Sequence, residues 1–431
     1  MSIEFFVCII TLFLLAGIGM PIAYAIMIAS LTYLLTGGNG VGIMGKVLMD
    51  GLYQSFILLA VPLFIVAANI MNAGTISDRL LSFCVALVGR FRGGLGHVNV
   101  VASLIFSGMS GSAVADAAGI GKIIIQMMTK SGHYTRGYAA AITAASATIG
   151  PIIPPSIPMV LYALVSNTSI GYLFLGGIIP GLMMGAVLMG MNTFLSHRRG
   201  FAIEDPVPLS ELPRRTANAF PALLMPAILL YGIYGGVTTP TEAAAVAAFY
   251  ALMLAAFFYR ALSFRALYGI LVESARSSAA VGLVIGGALI LNYVVASENI
   301  PNILAQRLVG LDVEPLAFLL SVTFLLLLLG CVLDATTIIL VILPLFLPTC
   351  RELGIDLVHF GVVAVVNCMI GLITPPYGIL LFVLNAVTQI PLSEIISEIW
   401  PFLIALLLAL LALVLWPGLV LWLPRLFGYA G

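Results

Sequence analysis

"IGPIIPPSIPMVLYALVSNTSIGYLFLGGIIP" occupies residues 149–180, and "IGLITPPYGILLFVLNAVTQIPLSEIISEIWP" occupies residues 370–401. Laid over each other at a constant shift of 221 residues and without a gap, Ile149, Gly150, Pro154, Pro155 and Pro180 fall on Ile370, Gly371, Pro375, Pro376 and Pro401. Each stretch is an apolar run interrupted by prolines: Pro151, Pro154, Pro155 and Pro158 in one, Pro375 and Pro376 in the other. Each such proline removes an N–H and frees the carbonyl four residues before it. Freed backbone cannot face lipid, where every unsatisfied polar group costs several kcal/mol, but it can line a buried site or an aqueous cavity. The pair therefore reads as two broken helices in an internal repeat.

The composition sets the environment of that repeat. Of 431 residues, 62% are hydrophobic and 8% charged, against roughly a quarter charged in a soluble domain. The chain is predicted to be an all-α, polytopic membrane protein. Its net charge of zero offers no basic patch for nucleic acid. Cys8, Cys84, Cys331, Cys350 and Cys368 have no C-x-x-C spacing and read as core or lipid-facing thiols. The start, "MSIEFFVCIITLFLL", carries Glu4 and no basic residue before its apolar run, so it reads as a retained first helix rather than a cleaved signal.

Spans of about 20 apolar residues cross a bilayer. Expected spans are 2–18, 20–36, 52–72, 134–166 (interrupted), 172–195, 217–236, 240–258, 274–296, 358–389 (interrupted) and 394–424. Between them lie pairs of shorter segments, 95–108 with 113–129 and 316–330 with 335–349. These are too short to cross comfortably and read as two re-entrant helical hairpins. The expected organisation is then 1–49, N-terminal membrane helices; 50–196, a first repeat with a hairpin at 95–129 and a broken helix at 134–166; and 197–273, a cytoplasmic loop and scaffold helices. A second repeat follows at 274–401, with a hairpin at 316–349 and a broken helix at 358–389, and 394–431 is a C-terminal membrane helix and tail.

Charge orients these elements. The longest polar loop, 196–215, carries His197, Arg198, Arg199, Arg214 and Arg215, which predicts a cytoplasmic side. Counting crossings puts Arg260 and Arg265 on that side, together with the base of the first hairpin near Arg79, Arg90, Arg92, Lys130 and Arg136. The base of the second hairpin falls outside, where Glu298, Asp312, Glu314, Glu352 and Asp356 outnumber Arg307 and Arg351. Arg425 is an exception to the rule. The two hairpins therefore open to opposite faces, so the repeats are expected to be inverted, a pattern of secondary transporters; upstream, "GTISDRLL" from Gly74 resembles "ENIPNILA" from Glu298 and extends the repeat.

The hairpin tips carry the chemistry. "FSGMSGSAVADAAGIG", residues 106–121, places Gly108 and Gly111 where a chain can turn. Its serines offer hydroxyl and carbonyl oxygens to a hard cation. Gly108 and Ser112 lie over Gly330 and Asp334 of the second repeat. An intramembrane carboxylate is costly and is by default a functional hypothesis. Asp116 and Asp334 have two open roles: binding a cation, or anchoring a hairpin tip by accepting backbone N–H bonds.

At these residues the chain resembles a known family. "SGMSGSAVADAAGIGKI", "GPIIPPSIPMV", "GGIIPG" and "GLITPPYG" are similar to the large membrane subunit of TRAP transporters, the tripartite ATP-independent periplasmic systems, over essentially the whole chain. The resemblance implies an elevator-type importer of the bacterial inner membrane, with no enzyme activity and no cofactor other than sodium as coupling ion. It implies a small four-helix membrane subunit as a second polypeptide, since this chain resembles the unfused form. A periplasmic substrate-binding protein would deliver a carboxylate-bearing solute, a dicarboxylate or sialic acid among the expectations. It also implies a first sodium site at Ser107, Ser110, Gly150, Ile153 and Pro155, and a second at Gly330, Met369, Gly371, Thr374 and Pro375. Substrate and coupling residues would be Ser112, Asp116, Asp334, Thr336 and Asn367.

Other readings compete. Gly108–Met109–Ser110–Gly111 spells the G-x-S-G of rhomboid-type proteases, but that chemistry needs a histidine at membrane depth. His97, His133, His197 and His359 all fall at predicted membrane edges or loops. Ser166–Asn167–Thr168 resembles the triplet of one-component sodium–dicarboxylate symporters, which carry it at both hairpin tips; here it occurs once, at an expected helix end. Trp416, Trp422 and Tyr429 read as interfacial anchors.

Overall fold

Short polar side chains start many of the helices. Ser2, Thr135, Ser156 and Ser263 each accept the N–H three residues on, and Asp356 accepts from both Val358 and His359. Thr239 and Glu242 form a reciprocal capping box. These caps satisfy donors that a helix start leaves free, which matters most where no water can. Residues with positive φ close helices at Gly111, Gly132, Asn167 and Gly200, as the left-handed cap requires. The Ser-Asn-Thr triplet is thus a helix end, with Ser166 Oγ donating to Thr168 Oγ1 at 2.8 Å.

The structure is a computed structural model describing residues 2–38, 40–54, 56–72, 75–203, 207–310 and 313–431. Among them it is helical throughout, apart from one isolated bridge between Arg92 and Ile203. Five helices are long and apolar enough to cross a membrane: Ile170–Arg199, Leu212–Tyr234, Pro240–Phe258, Phe264–Ser297 and Leu392–Leu415. The helices Gly42–Tyr53 and Phe56–Met71 are long and apolar enough only when taken together, and they are bent by 69° to each other. Shorter apolar helices include Ile3–Gly17 and Ile22–Thr36, which pack on each other.

Several elements differ from the hydropathy reading. Gly42–Gln54, Thr75–Val88 and Ile300–Gly310 are helices where no span was expected. Each has 11 to 14 residues and carries charge (Lys46 and Asp50, Asp78 and Arg79, Arg307), so none crosses a bilayer by itself. They fold because neighbours cover them: Thr75–Val88 packs on Leu212–Tyr234, and Ile300–Gly310 on Leu347–Glu352. Phe264–Ser297 begins ten residues before the expected 274 and has 34 residues, about 51 Å at 1.5 Å per residue, longer than the hydrocarbon layer. The expected C-terminal span 394–424 is two helices, Leu392–Leu415 and Gly418–Leu426, parted at Trp416–Pro417. Gly74, Asp312 and residues 204–206 of the polar loop lie outside the described residues.

The short segments pair as expected. Gly94–Ser110 turns at Gly111 and returns through Ala113–Asp116, a π-helical turn at Ala117–Gly121 and Lys122–Ser131, which packs back on it. Pro315–Gly330 likewise returns through Ala335–Thr337 and a π-helical turn at Ile338–Ile342. The two proline stretches break helices into Arg136–Ala147 with Ile157–Ser166, and Leu357–Gly371 with Ile379–Thr388. Each hairpin packs on the first half of the broken helix that follows it. The second halves cross over: Ile157–Ser166 packs on the second hairpin, and Ile379–Thr388 on the first.

That crossing brings both hairpin tips and both breaks to one place. The first hairpin is fastened by buried polar contacts: Asn99 Nδ2 donates to Thr143 Oγ1 at 2.5 Å, Ser146 Oγ to Asn99 Oδ1 at 3.0 Å and Ser103 Oγ to Ser146 Oγ at 2.9 Å. At the aligned position of the second repeat, Asn367 Nδ2 donates to the Thr323 carbonyl at 2.6 Å.

Candidate functional site

The two tips and breaks line a half-open, mostly apolar cavity of about 210 Å³. Its polar wall is Ser112, Asp334 and Thr336, and Met369 also faces it. The structure thus gathers three of the predicted substrate residues and one predicted sodium ligand. Asn367 is buried and bonded into the hairpin behind the wall, and it does not line this cavity. Neither does Asp116. Val281, from the long helix Phe264–Ser297, does, and no sequence signal pointed to it.

No lysine or arginine lines the cavity. The donors that face it are backbone groups instead. The helical segments that begin at Ala113, Ile157, Ala335 and Ile379 all start at its wall. A helix N-terminus carries roughly half a positive charge and a set of outward N–H groups. Ser112, Ser156 and Asp334 cap three of these starts, bonding Ala115 N at 3.3 Å, Met159 N at 3.2 Å and Thr337 N at 3.1 Å. Asp334 also takes the Thr337 hydroxyl at 2.5 Å, so it holds the second tip's return arm while presenting charge to the cavity.

On one side of the cavity the first tip meets its break. A methyl group added at Gly111 would lie 2.6 Å from the Pro155 carbonyl oxygen, and one added at Gly150 would strike Asp116 Oδ2. Only glycine permits these approaches. Ser110 Oγ donates to Asp116 Oδ1 at 2.5 Å, while Asp116 Oδ2 is buried and takes no hydrogen bond from a described residue. Among the described residues, no hydrogen bond reaches the carbonyls of Ser107, Ser110, Gly150, Ile153 or Pro155. Ser156 Oγ does bond the Pro151 carbonyl. Both Pro154–Pro155 and Pro375–Pro376 are cis.

On the other side the second tip meets its break even more closely. The Cβ of an alanine at Gly371 would lie 2.7 Å from Gly330 Cα. Again the carbonyls of Gly330, Met369, Thr374 and Pro375 take no hydrogen bond from described residues, whereas that of Gly371 accepts Thr374 N at 3.1 Å. Thr374 Oγ1 donates to Ile370 O at 2.8 Å. Buried acceptors left without donors are costly, and a hard cation satisfies them with oxygen ligands. The carboxylate of Asp116 lies beside the first set, at Gly150.

Ser110 has no protease partner. His97 lies 13 residues before it on the same helix, about 20 Å along the axis. His359 is buried near the start of Leu357–Gly371, with Nε2 at 2.9 Å from Leu413 O.

Helical hairpins, broken helices and a cavity between them form an architecture found in multi-pass membrane transporters. Residues 9–419 match the family of the Tripartite ATP-independent periplasmic transporter, DctM component, and the chain belongs to this family. It is 40% identical, over 95% of its length and 96% of the relative's, to the sialic acid TRAP transporter large permease protein SiaM of Vibrio cholerae. It is 39% identical to the C4-dicarboxylate TRAP transporter large permease protein DctM of Pseudomonas aeruginosa, covering 87% and 88% of the two chains. With the Escherichia coli 2,3-diketo-L-gulonate TRAP transporter large permease protein YiaN it shares 36% identity over 94% and 95%. The crystal structure of the Alcanivorax borkumensis YdaH transporter superposes with a TM-score of 0.63, covering 88% of this chain and 89% of that one at 17% identity; that likeness concerns the fold. The chain is a large permease of the TRAP class in the bacterial inner membrane.

Proposed function

We propose that this permease imports a small carboxylate-bearing anion and couples that import to sodium entry. The observation that carries the reading is the pair of unsatisfied carbonyl clusters flanking one cavity built of helix N-termini. The clusters suit two cations and the N-termini suit an anion between them. The relatives named for sialic acid, C4-dicarboxylates and 2,3-diketo-L-gulonate all carry carboxylate solutes by name. A cavity of about 150 Å³ holds benzene, so 210 Å³ favours the smaller of these solutes.

Sodium has two tasks in this reading. It offsets the charges of Asp116 and Asp334, which would otherwise oppose an anion in the cavity. It also orders both tips against their breaks, which closes the cavity wall. Moving it inward supplies roughly 2.3 kcal/mol per charge per 100 mV of membrane potential. The two repeats have opposite orientation, and the hairpins and broken helices move together past the remaining helices as an elevator. A small four-helix membrane subunit supports those remaining helices, and a periplasmic binding protein delivers the solute.

Uptake into proteoliposomes containing this chain, the small subunit and the binding protein tests the reading. Accumulation of a labelled C4-dicarboxylate or sialic acid should require an inward sodium gradient. Uptake driven by protons alone and indifferent to sodium overturns the cation assignment. Robust uptake by this chain without a binding protein supports a one-component symporter in its place.

A further inference from the structure

A second concavity, of about 360 Å³, lies away from the central cavity. Lys122, Lys130 and Arg136 line it, with Gln126, Thr129 and Thr388. No carboxylate lines it, and among the described residues the only ion pairs are Arg199–Glu398 and Arg215–Glu211, which lie elsewhere. Glu394, on the neighbouring helix, packs its backbone and Cβ against Gly137 without pairing to Arg136. Three cations thus share one concave wall without a counter-charge. Mutual repulsion destabilises such a wall, and an anion held in it lowers that cost.

The position of the cleft adds a second argument. Two helical segments form both it and the central cavity. The return arm of the first hairpin starts at Ala113 on the cavity and reaches Lys122 and Lys130 in the cleft. The second half of the second broken helix starts at Ile379 on the cavity and ends at Thr388 in the cleft. These segments pack side by side, so one seam about 14 Å long, nine residues at 1.5 Å each, joins the two sites. Positive-inside charge alone explains Lys130 and Arg136 at the hairpin base. It does not explain Lys122, two turns further along the arm and turned into the same cleft.

We propose that this cleft is an anion-binding site for a carboxylate or phosphate group, distinct from the central cavity. Lys122, Lys130 and Arg136 supply the charge, and Gln126 and the two threonines supply polar contacts around it. The group belongs either to a free small anion or to the headgroup of an anionic lipid, and the site does not depend on which solute the protein carries.

The test uses the full-length permease in nanodiscs of neutral lipid. Inorganic phosphate, titrated to millimolar levels, should raise the melting temperature, and the effect should weaken with added salt. In the triple variant Lys122→Gln, Lys130→Gln, Arg136→Gln the apparent affinity should fall at least tenfold. Lys46→Gln, on a distant helix, should leave it unchanged, and Lys122→Arg with Lys130→Arg should retain it. A free-anion site is identified by these shifts. A lipid site is identified by phosphatidylglycerol that co-purifies with the wild type and is lost from the triple variant. If the triple variant folds as a monodisperse species and matches the wild type with phosphate and phosphatidylglycerol alike, the proposal is wrong. Sodium-independent transport would leave this outcome untouched, so the two readings fail separately.

Discussion

Gly371→Ala is the sharpest probe of the coupling geometry. The added methyl would sit 2.7 Å from Gly330 Cα, 2.8 Å from its carbonyl carbon and 3.1 Å from its oxygen. Carbon atoms pack best at about 3.5–4.0 Å, so the second hairpin tip must retreat by about 1 Å. Backbone, not a flexible side chain, blocks the methyl at each of these contacts, so rotamer changes cannot absorb it. Overpacking of this kind costs about 1–3 kcal/mol. Hard-cation ligands tolerate only a few tenths of an ångström, so the retreat removes the Gly330 carbonyl from the second cluster. If the cost falls on the sodium-bound state, apparent sodium affinity drops about 5- to 150-fold. The assay is sodium-dependent uptake in proteoliposomes, with melting temperature measured in parallel. Gly119→Ala is the control, because nothing lies within 4 Å of its added methyl; it should be neutral or slightly stabilising. A Gly371→Ala protein with wild-type melting and wild-type sodium half-saturation would refute the close approach of tip and break. Lower stability with unchanged sodium dependence would keep the packing and remove the cation.

Three further outcomes follow from the same geometry. Asp116→Asn keeps the bulk and a hydrogen bond to Ser110 but removes charge from a buried carboxylate with one free oxygen; the permease should fold, and its sodium dependence should weaken by tenfold or more in the uptake assay. Asp334→Ala deletes the cap on Thr337 and a charge on the cavity wall; loss of a cap costs about 1 kcal/mol, which should show as a modest fall in melting temperature, while sodium-driven uptake should be lost. Single cysteines at Arg198 and Glu352, both exposed, should label from opposite faces of intact cells, the first only after permeabilisation. The five native thiols are buried and should stay silent in that scan, and labelling of both sites from one face would break the inverted-repeat reading.

The sequence alone determined the class, because composition and proline placement act locally. An 8% charged chain has no soluble solution. The I-G-x-x-x-P-P pairs at 149 and 370 break helices wherever they sit, since proline removes a donor in any context. Gly111 and Gly330 marked the tips for the same local reason, whereas Gly108, also expected at the turn, lies within the helix Gly94–Ser110. Only tertiary structure decided which of these groups meet. Asn367 and Ser146 occupy aligned positions, and both turn into their hairpins rather than toward the cavity. Asp334 proved a cap on the cavity wall, whereas Asp116 points at Gly150 behind it. Val281 entered the wall from a helix far away in sequence. The helices Thr75–Val88 and Ile300–Gly310 escaped a hydropathy reading because neighbours, not their own apolar content, cover them. Hydropathy records what each residue does with lipid or water. The cavity depends on a crossing of two broken helices between repeats, and those contacts join segments far apart in the chain that no local pattern encodes.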